Sequence, residues 1–300
     1  MSATPSLAGI VRAETVKLSL RTSVRLTLAV LILLSIGSPI LLFLVKSMVV
    51  GATVTTTTTA GVVATVAPAQ GPAAVNVASA LESVRFFHDL FLFRTLLIAV
   101  VAVSFAGEFV GRTLREDVLR PVSRTQVLLA KWLAIQVFVA AGALVPVLIG
   151  GLLGLALLGT GGDVTAALSS WGLTWAGDAG FATMVMAISL ATRSVPGTIG
   201  GTVLYWVFDK MLRLLLLALE AARDQGLLEK LFAAYNLKPL TPISDFFIAL
   251  RPFLPSSAFD LAPSVFSSAS AGWQGFLALA LYTAGSAAVA WRVFNRIDID

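Results

Sequence analysis

Long apolar runs alternate with short polar stretches along this 300-residue chain. Six runs are long enough to cross about 30 Å of hydrocarbon at about 1.5 Å per helical residue. They cover 24–45, 87–107, 133–158, 168–191, 195–219 and 273–294. Only Thr192, Arg193 and Ser194 separate the fourth run from the fifth, and Pro196 follows, so these two form a tight helical hairpin. The fifth run is purely apolar only as far as Phe208. Beyond it Asp209, Arg213, Glu220 and Asp224 share one helical face, and Leu212, Leu215, Leu216 and Leu219 share the other. That pattern fits either a continuation of the fifth span or an amphipathic helix on the membrane surface. The pattern predicts an all-α polytopic membrane protein of six transmembrane helices, forming one domain over 1–300.

The segments between the runs differ in character. Within 1–23, Leu7, Ile10, Val11 and Leu18 share a face that Arg12, Lys17 and Arg21 largely avoid. This predicts a helix lying in the membrane interface, the alternative being a solvated tail. Segment 46–86 holds Thr55–Thr59, Pro68, Gly71 and Pro72 with little charge, and reads as extended or poorly ordered chain. In 220–272, Pro239, Pro242, Pro252, Pro255 and Pro263 break the chain into short pieces. Phe246, Phe247, Ile248, Phe253 and Leu254 are too few for a further span and predict a shallow re-entrant cap.

Composition agrees with the pattern. The chain is 57% hydrophobic and 12% charged, against about 25% charged in a soluble domain. A soluble fold is excluded. The net charge of +5 reflects sorted loops and not a nucleic-acid partner. Arg12, Lys17, Arg21 and Arg25, then Arg112, Arg115, Arg120, Arg124 and Lys131, then Arg193, and finally Arg292 and Arg296 fall on one side if every span crosses. The short loop 159–167 on the other side has no basic residue. Positive loops stay inside, so both termini are expected in the cytoplasm and the protein in the cell membrane. The first run follows four basic residues and is long enough to anchor the chain, so it reads as a span and not as a cleaved leader.

Enzymatic chemistry finds little footing. There is no cysteine and one histidine, His88, so a thiolate or polyhistidine metal site is excluded and none is expected. No phosphate-binding G-x-x-x-x-G-K-[ST] loop occurs; the run Gly150, Gly151, Gly154, Gly159, Gly161 and Gly162 has no following Lys. Any ATP must be bound by another chain. No catalytic residue is expected, and a membrane-embedded enzyme is the weakest reading.

The most informative stretch runs from Phe105 to Lys131. Glu108 ends the second span, Gly111 and Thr113 follow, Pro121-Val-Ser-Arg124 comes next, and Ala130-Lys131 opens the third. Between them Arg112–Arg120 is a short charged helix stopped by Pro121, with Leu114 and Val118 as neighbours on one face. Such a lever suits a groove in a soluble partner, the alternative being a positive-inside loop without one. Weaker motifs flank it: Glu14-Thr-Val-Lys17-Leu18, with Arg21 beyond, and Asn295-Arg-Ile-Asp298. The sequence resembles the ABC-2 family, the membrane permease subunits of type-2 ABC exporters. The resemblance makes 108–131 a cytoplasmic coupling loop touching the ATPase through Glu108, Gly111, Arg112, Thr113, Leu114, Arg115, Val118, Pro121, Arg124 and Lys131. It also implies two paired permease subunits, identical or related, and two separate ATPase subunits holding ATP and Mg, with no cofactor on this chain. The implied substrate is a drug, a lipid, a peptide or another amphipathic molecule. The alternatives are an ion-driven secondary transporter, or a sensing or resistance subunit of an ABC complex that does not transport.

Two charges lie within spans. Arg94 is 14 residues before Glu108, and Asp178 is 15 residues before Arg193, so both lie at about 21–23 Å from the inner face. Equal depth and opposite sign predict an interhelical ion pair that locks the second and fourth helices or lines a polar path. The alternative is separate snorkelling outward. His88, beside Asp89, reads as an interfacial residue satisfied by water in preference to a proton relay. Small residues four apart, Gly150/Gly154, Ala176/Gly180, Gly197/Gly201 and Ala271/Gly275, allow close helix packing. Pro39 and Pro146 are candidate kinks, and Trp132, Trp171, Trp175, Trp206, Trp273 and Trp291 read mainly as an interfacial belt.

Overall fold

The computed structural model describes residues 6–51, 75–89, 93–111, 123–225 and 269–296, with positions 246, 249 and 254 in between. Helix is the only regular structure among the described residues. The helices are α1 Leu7–Ser19, α2 Thr22–Gly51, α3 Val77–Phe87, α4 Phe93–Val110, α5 Arg124–Leu158, α6 Val164–Thr192, α7 Val195–Asp224 and α8 Ala269–Arg296.

Local chemistry sets many of their ends. Ser6 accepts from the Gly9 amide, Asn76 from Ser79 and Asp163 from Ala166, each satisfying an amide that the first helical turn leaves open. Ser123 and Gln126 form a reciprocal capping box that starts α5. Arg193 ends α6 in the left-handed region at φ 51°, which turns the chain sharply into α7. Gly159, Gly161 and Gly162 all have positive φ and close the α5–α6 turn.

The chain runs back and forth between two ends of a bundle. One end carries α1, the end of α4, the start of α5 and the Arg193 turn; the other carries α3 and the Gly159 turn. Helix α4 lies at the centre, with Leu97, Val100, Val101 and Ala102 fully buried. Helix α6 supplies Phe181, Val185 and Leu190 to the same core, α5 supplies Ile135, Phe138 and Val139, and α8 supplies Phe294. Helix α1 packs on α5, and α3 packs on α5, α2 and α6. The exterior is strongly apolar: Leu144, Leu148, Leu152 and Leu155 stand out from α5, and Leu204, Phe208, Met211, Leu214 and Leu215 from α7. Exposed faces of this kind belong in lipid.

Among the described residues, five helical stretches are long and apolar enough to cross a membrane: Thr22–Met48, Phe93–Val110, Arg124–Leu158, Val164–Thr192 and Gln274–Arg296. Helix α7 matches them in length, at 30 residues, but Asp209, Lys210 and Arg213 interrupt its apolar character. It continues unbroken through 209–219, so that stretch extends the helix of the fifth apolar run. Asp209 is buried, not on an open polar face.

Several expected boundaries need correction. Segment 46–86 is not uniformly extended: α2 runs to Gly51, and α3 is a capped amphipathic helix burying Val77, Ala80, Leu81 and Val84. Residues 88 and 89 form a π turn after α3, and the next described helix, α4, is seen from Phe93. The segment 108–131 is not all loop, because α4 extends to Val110 and the capping box starts α5 at Arg124. The first 23 residues hold one helix and the start of another, with the break at Leu20 and Arg21. Trp171 is buried and Trp132 half-buried, so neither lies freely in an interfacial belt. Most of the expected re-entrant cap lies outside the described residues.

Candidate functional site

Glu108 sits in the last turn of α4 with its side chain 4% exposed. A carboxylate at a helix C-terminus opposes the helix dipole, which costs about 0.3–1 kcal/mol. Three cations offset that cost. Lys17 Nζ lies 2.8 Å from Oε1, Arg21 Nη2 3.3 Å from Oε1, and Lys131 Nζ 2.7 Å from Oε2. Lys131 also reaches Glu14 Oε2 at 2.9 Å, and Arg21 Nη1 donates to the Val103 carbonyl at 2.6 Å. Three helices are thereby tied: α1 through Glu14 and Lys17, α4 through Glu108, and α5 through Lys131, with Arg21 at the α1–α2 break. A cavity of about 10 Å³ lies among these side chains, room for roughly one water. Removing one member of a buried ion pair costs about 3–5 kcal/mol, far more than the dipole mismatch, so the network governs how this end is held.

These residues lie far apart in sequence, and folding gathers them at the two ends of the α4–α5 connection. Gly111 and Arg124 flank that connection, Gly111 directly after α4 and Arg124 as the first residue of α5. Arg112, Thr113, Leu114, Arg115, Val118 and Pro121 lie outside the described residues.

A second charged cluster occupies the other half of the bundle. Arg94 Nε donates to Asp178 Oδ1 at 2.8 Å, joining α4 to α6. The Arg94 guanidinium also stands 5.8 Å from the Phe181 ring centre. His88 is 2% exposed, not an interfacial residue open to water. It stacks on Phe93 at 4.5 Å and meets Trp171 edge-on at 5.2 Å. The Trp171 indole donates to the Leu81 carbonyl, so α3, the π turn, α4 and α6 meet here. Sequence reading missed this convergence because it missed α3. Its signal was local: Asn76 as a cap, then Val77, Ala80, Leu81 and Val84 at helical spacing.

Glycine lets α3 come close. A Cβ on Gly150 would lie 2.6 Å from a Val84 methyl, and one on Gly154 would lie 2.5 Å from the Ala80 Cβ. The Phe93 ring fills the space at Gly142 in the same way. Between the clusters, the Trp132 indole donates to Thr183 Oγ1 at 3.0 Å and Gln136 donates to the Ala179 carbonyl at 3.4 Å.

Two grooves open on the flanks. One, of about 340 Å³, lies between α5 and α6 and is lined by Leu144, Val147, Trp171 and Trp175. The other, of about 450 Å³, lies among α6, α7 and α8 and includes Tyr205, Tyr282 and Ser286. No cluster of three or more metal-ligating side chains occurs among the described residues.

The family model described as ABC-2 family transporter protein matches residues 10–209. The match takes in α1 to the middle of α7, and with them both charged clusters. No curated protein matches the sequence.

Proposed function

This chain belongs to the ABC-2 family of transporter membrane proteins, and from that premise we propose that it is the permease subunit of an ABC exporter. A multi-pass membrane location and association with an ABC ATPase follow from the family. In our reading, α7 is the fifth of six spans and both termini face the cytoplasm, on the side where Arg12, Arg25, Arg193 and Arg296 gather. Its purely apolar part, 195–208, reaches only about 21 Å, so Asp209 lies within the bilayer, where burial shields it from lipid.

The observation that carries the mechanism is the Glu108 network. Residues 112–122 join α4 to α5 at the end where Glu108 and Lys131 are clamped to α1. We take 112–122 as the docking element for the ATPase. A displacement delivered there would move α1, α4 and α5 together, because shifting one alone separates buried charges. Two permease subunits, identical or related, would alternate at their shared interface as ATP, with Mg, is bound and hydrolysed below. The substrate is an amphipathic drug, lipid or peptide, in keeping with a bundle whose grooves are mainly apolar.

The test is co-purification of the full chain from its native membranes with an ATPase subunit recognised by its phosphate-binding loop. Leu114→Asp together with Val118→Asp should abolish the association while leaving the thermal midpoint of the permease in nanodiscs unchanged. Undiminished association would sink the docking assignment. Export that survives ATP depletion while a proton gradient persists would favour an ion-driven transporter instead.

A further inference from the structure

We infer that His88 is a buried proton-binding site whose occupancy sets how firmly α3 and the π turn at 88 and 89 are held to α6. Its two ring nitrogens each face a carboxylate. Nδ1 lies 3.4 Å from Asp89 Oδ1, and Nε2 lies 3.7 Å from Asp178 Oδ2. A neutral imidazole has one N–H and serves one of these acceptors; only the imidazolium serves both. In the structure His88 Nε2 and Asp178 Oδ2 are both buried without a hydrogen-bond partner. Two such orphans facing each other need less than 1 Å of closure to reach hydrogen-bonding distance.

The surrounding charges leave room for that proton. Helix α3 brings Glu82 and Arg85, and Arg85 bridges Glu82 at 2.6 Å and Asp89 at 3.1 Å. Helix α4 brings Arg94, and α6 brings Asp178. Helix α5 carries its charges, Arg124 and Lys131, at the opposite end. Lys46 of α2 donates to the carbonyls of Val75 and Leu158. Three carboxylates therefore face two guanidinium groups, and a proton on His88 balances them. Asp89, whose side chain is 36% exposed, gives the proton a route to the buried ring. Stacking on Phe93 fixes the ring plane, so protonation changes hydrogen bonding and leaves the packing in place.

His88 is the single histidine of the chain, so histidine-selective ¹⁵N labelling of the full chain in lipid nanodiscs yields one imidazole. As the pH falls from about 8 to about 5, its nitrogen shifts should convert from a single neutral tautomer to the imidazolium. Both N–H protons should then exchange with solvent more slowly than in free histidine. Asp178→Asn should remove the slow exchange at Nε2, and Asp89→Asn that at Nδ1. A ring that stays neutral across the range overturns the inference. So does an imidazolium whose N–H exchange is unchanged in both variants. The wild-type spectrum decides the first point even where a variant fails to fold.

Discussion

The two ends of the bundle bury charge in opposite ways. At the α1 end, Lys17, Arg21 and Lys131 surround Glu108 and Glu14, so cations outnumber carboxylates. At the α3 end, Glu82, Asp89 and Asp178 outnumber Arg85 and Arg94, and the balancing group is a histidine. The first network holds carboxylates against lysine and arginine and contains no histidine. A histidine changes charge within the physiological range, so the second can be set. A clamp without a histidine suits the end that we assign to the ATPase. An adjustable one sits where a short helix is pressed against the bundle.

The comparison breaks most visibly at Glu108. Glu108→Gln keeps the shape but leaves three cations around a neutral amide, and should destabilise the protein by about 3–5 kcal/mol. Thermal unfolding in nanodiscs should show this, together with loss of the co-purifying ATPase. Stability within about 0.5 kcal/mol of wild type would mean that the cations are already solvated.

Reversing one charge at the other end, by Arg94→Asp or Asp178→Arg, should also abolish export, and making both changes together should restore part of it. The swap places like with like among Glu82, Asp89 and His88, so recovery should be incomplete. Export no better in the double variant than in either single one would remove the pair from the mechanism.

Packing should matter less than charge. Gly150→Ile puts a branched side chain where a Val84 methyl already lies. It should cost about 1–3 kcal/mol and raise hydrogen exchange in α3 before that in α4. Uniform exchange in both helices would argue against an independently seated α3. The smallest effect is expected at Lys46, which donates at 3.5 Å to the carbonyl of Leu158, the last residue of α5. Lys46→Met should lower stability by about 0.3–1 kcal/mol, read as a small fall in thermal midpoint, with ATPase association unaffected.

Legibility in the sequence followed the length scale of each signal. Long helices were plain because twenty apolar residues leave few alternatives, but their ends were less so: the Ser123 cap starts α5 at Arg124, nine residues before the expected 133. Helix α3 was hidden. Eleven residues beside a run of threonine, alanine and valine carry a weak periodic signal, and such a helix holds its shape only through its seat on Gly150 and Gly154. Arg94 and Asp178 could be set at one depth by counting turns, since rise per residue is fixed. Their facing direction could not, because rotation about each helix axis depends on its neighbours.

The same reasoning divides the charged residues. By itself the sequence determined that the chain is helical, built for a membrane, and marked by the Glu108–Lys131 motif. Those properties depend on composition and on distances along the chain. Only the tertiary structure decided that Lys17 and Arg21 share the Glu108 carboxylate with Lys131, more than a hundred residues away, and that Lys131 also meets Glu14. It alone decided that His88 is buried between two acids and not open to water. A buried charge takes whichever opposite charge the packing brings within about 3 Å, and packing is a property of helix faces meeting, which no single stretch of sequence contains.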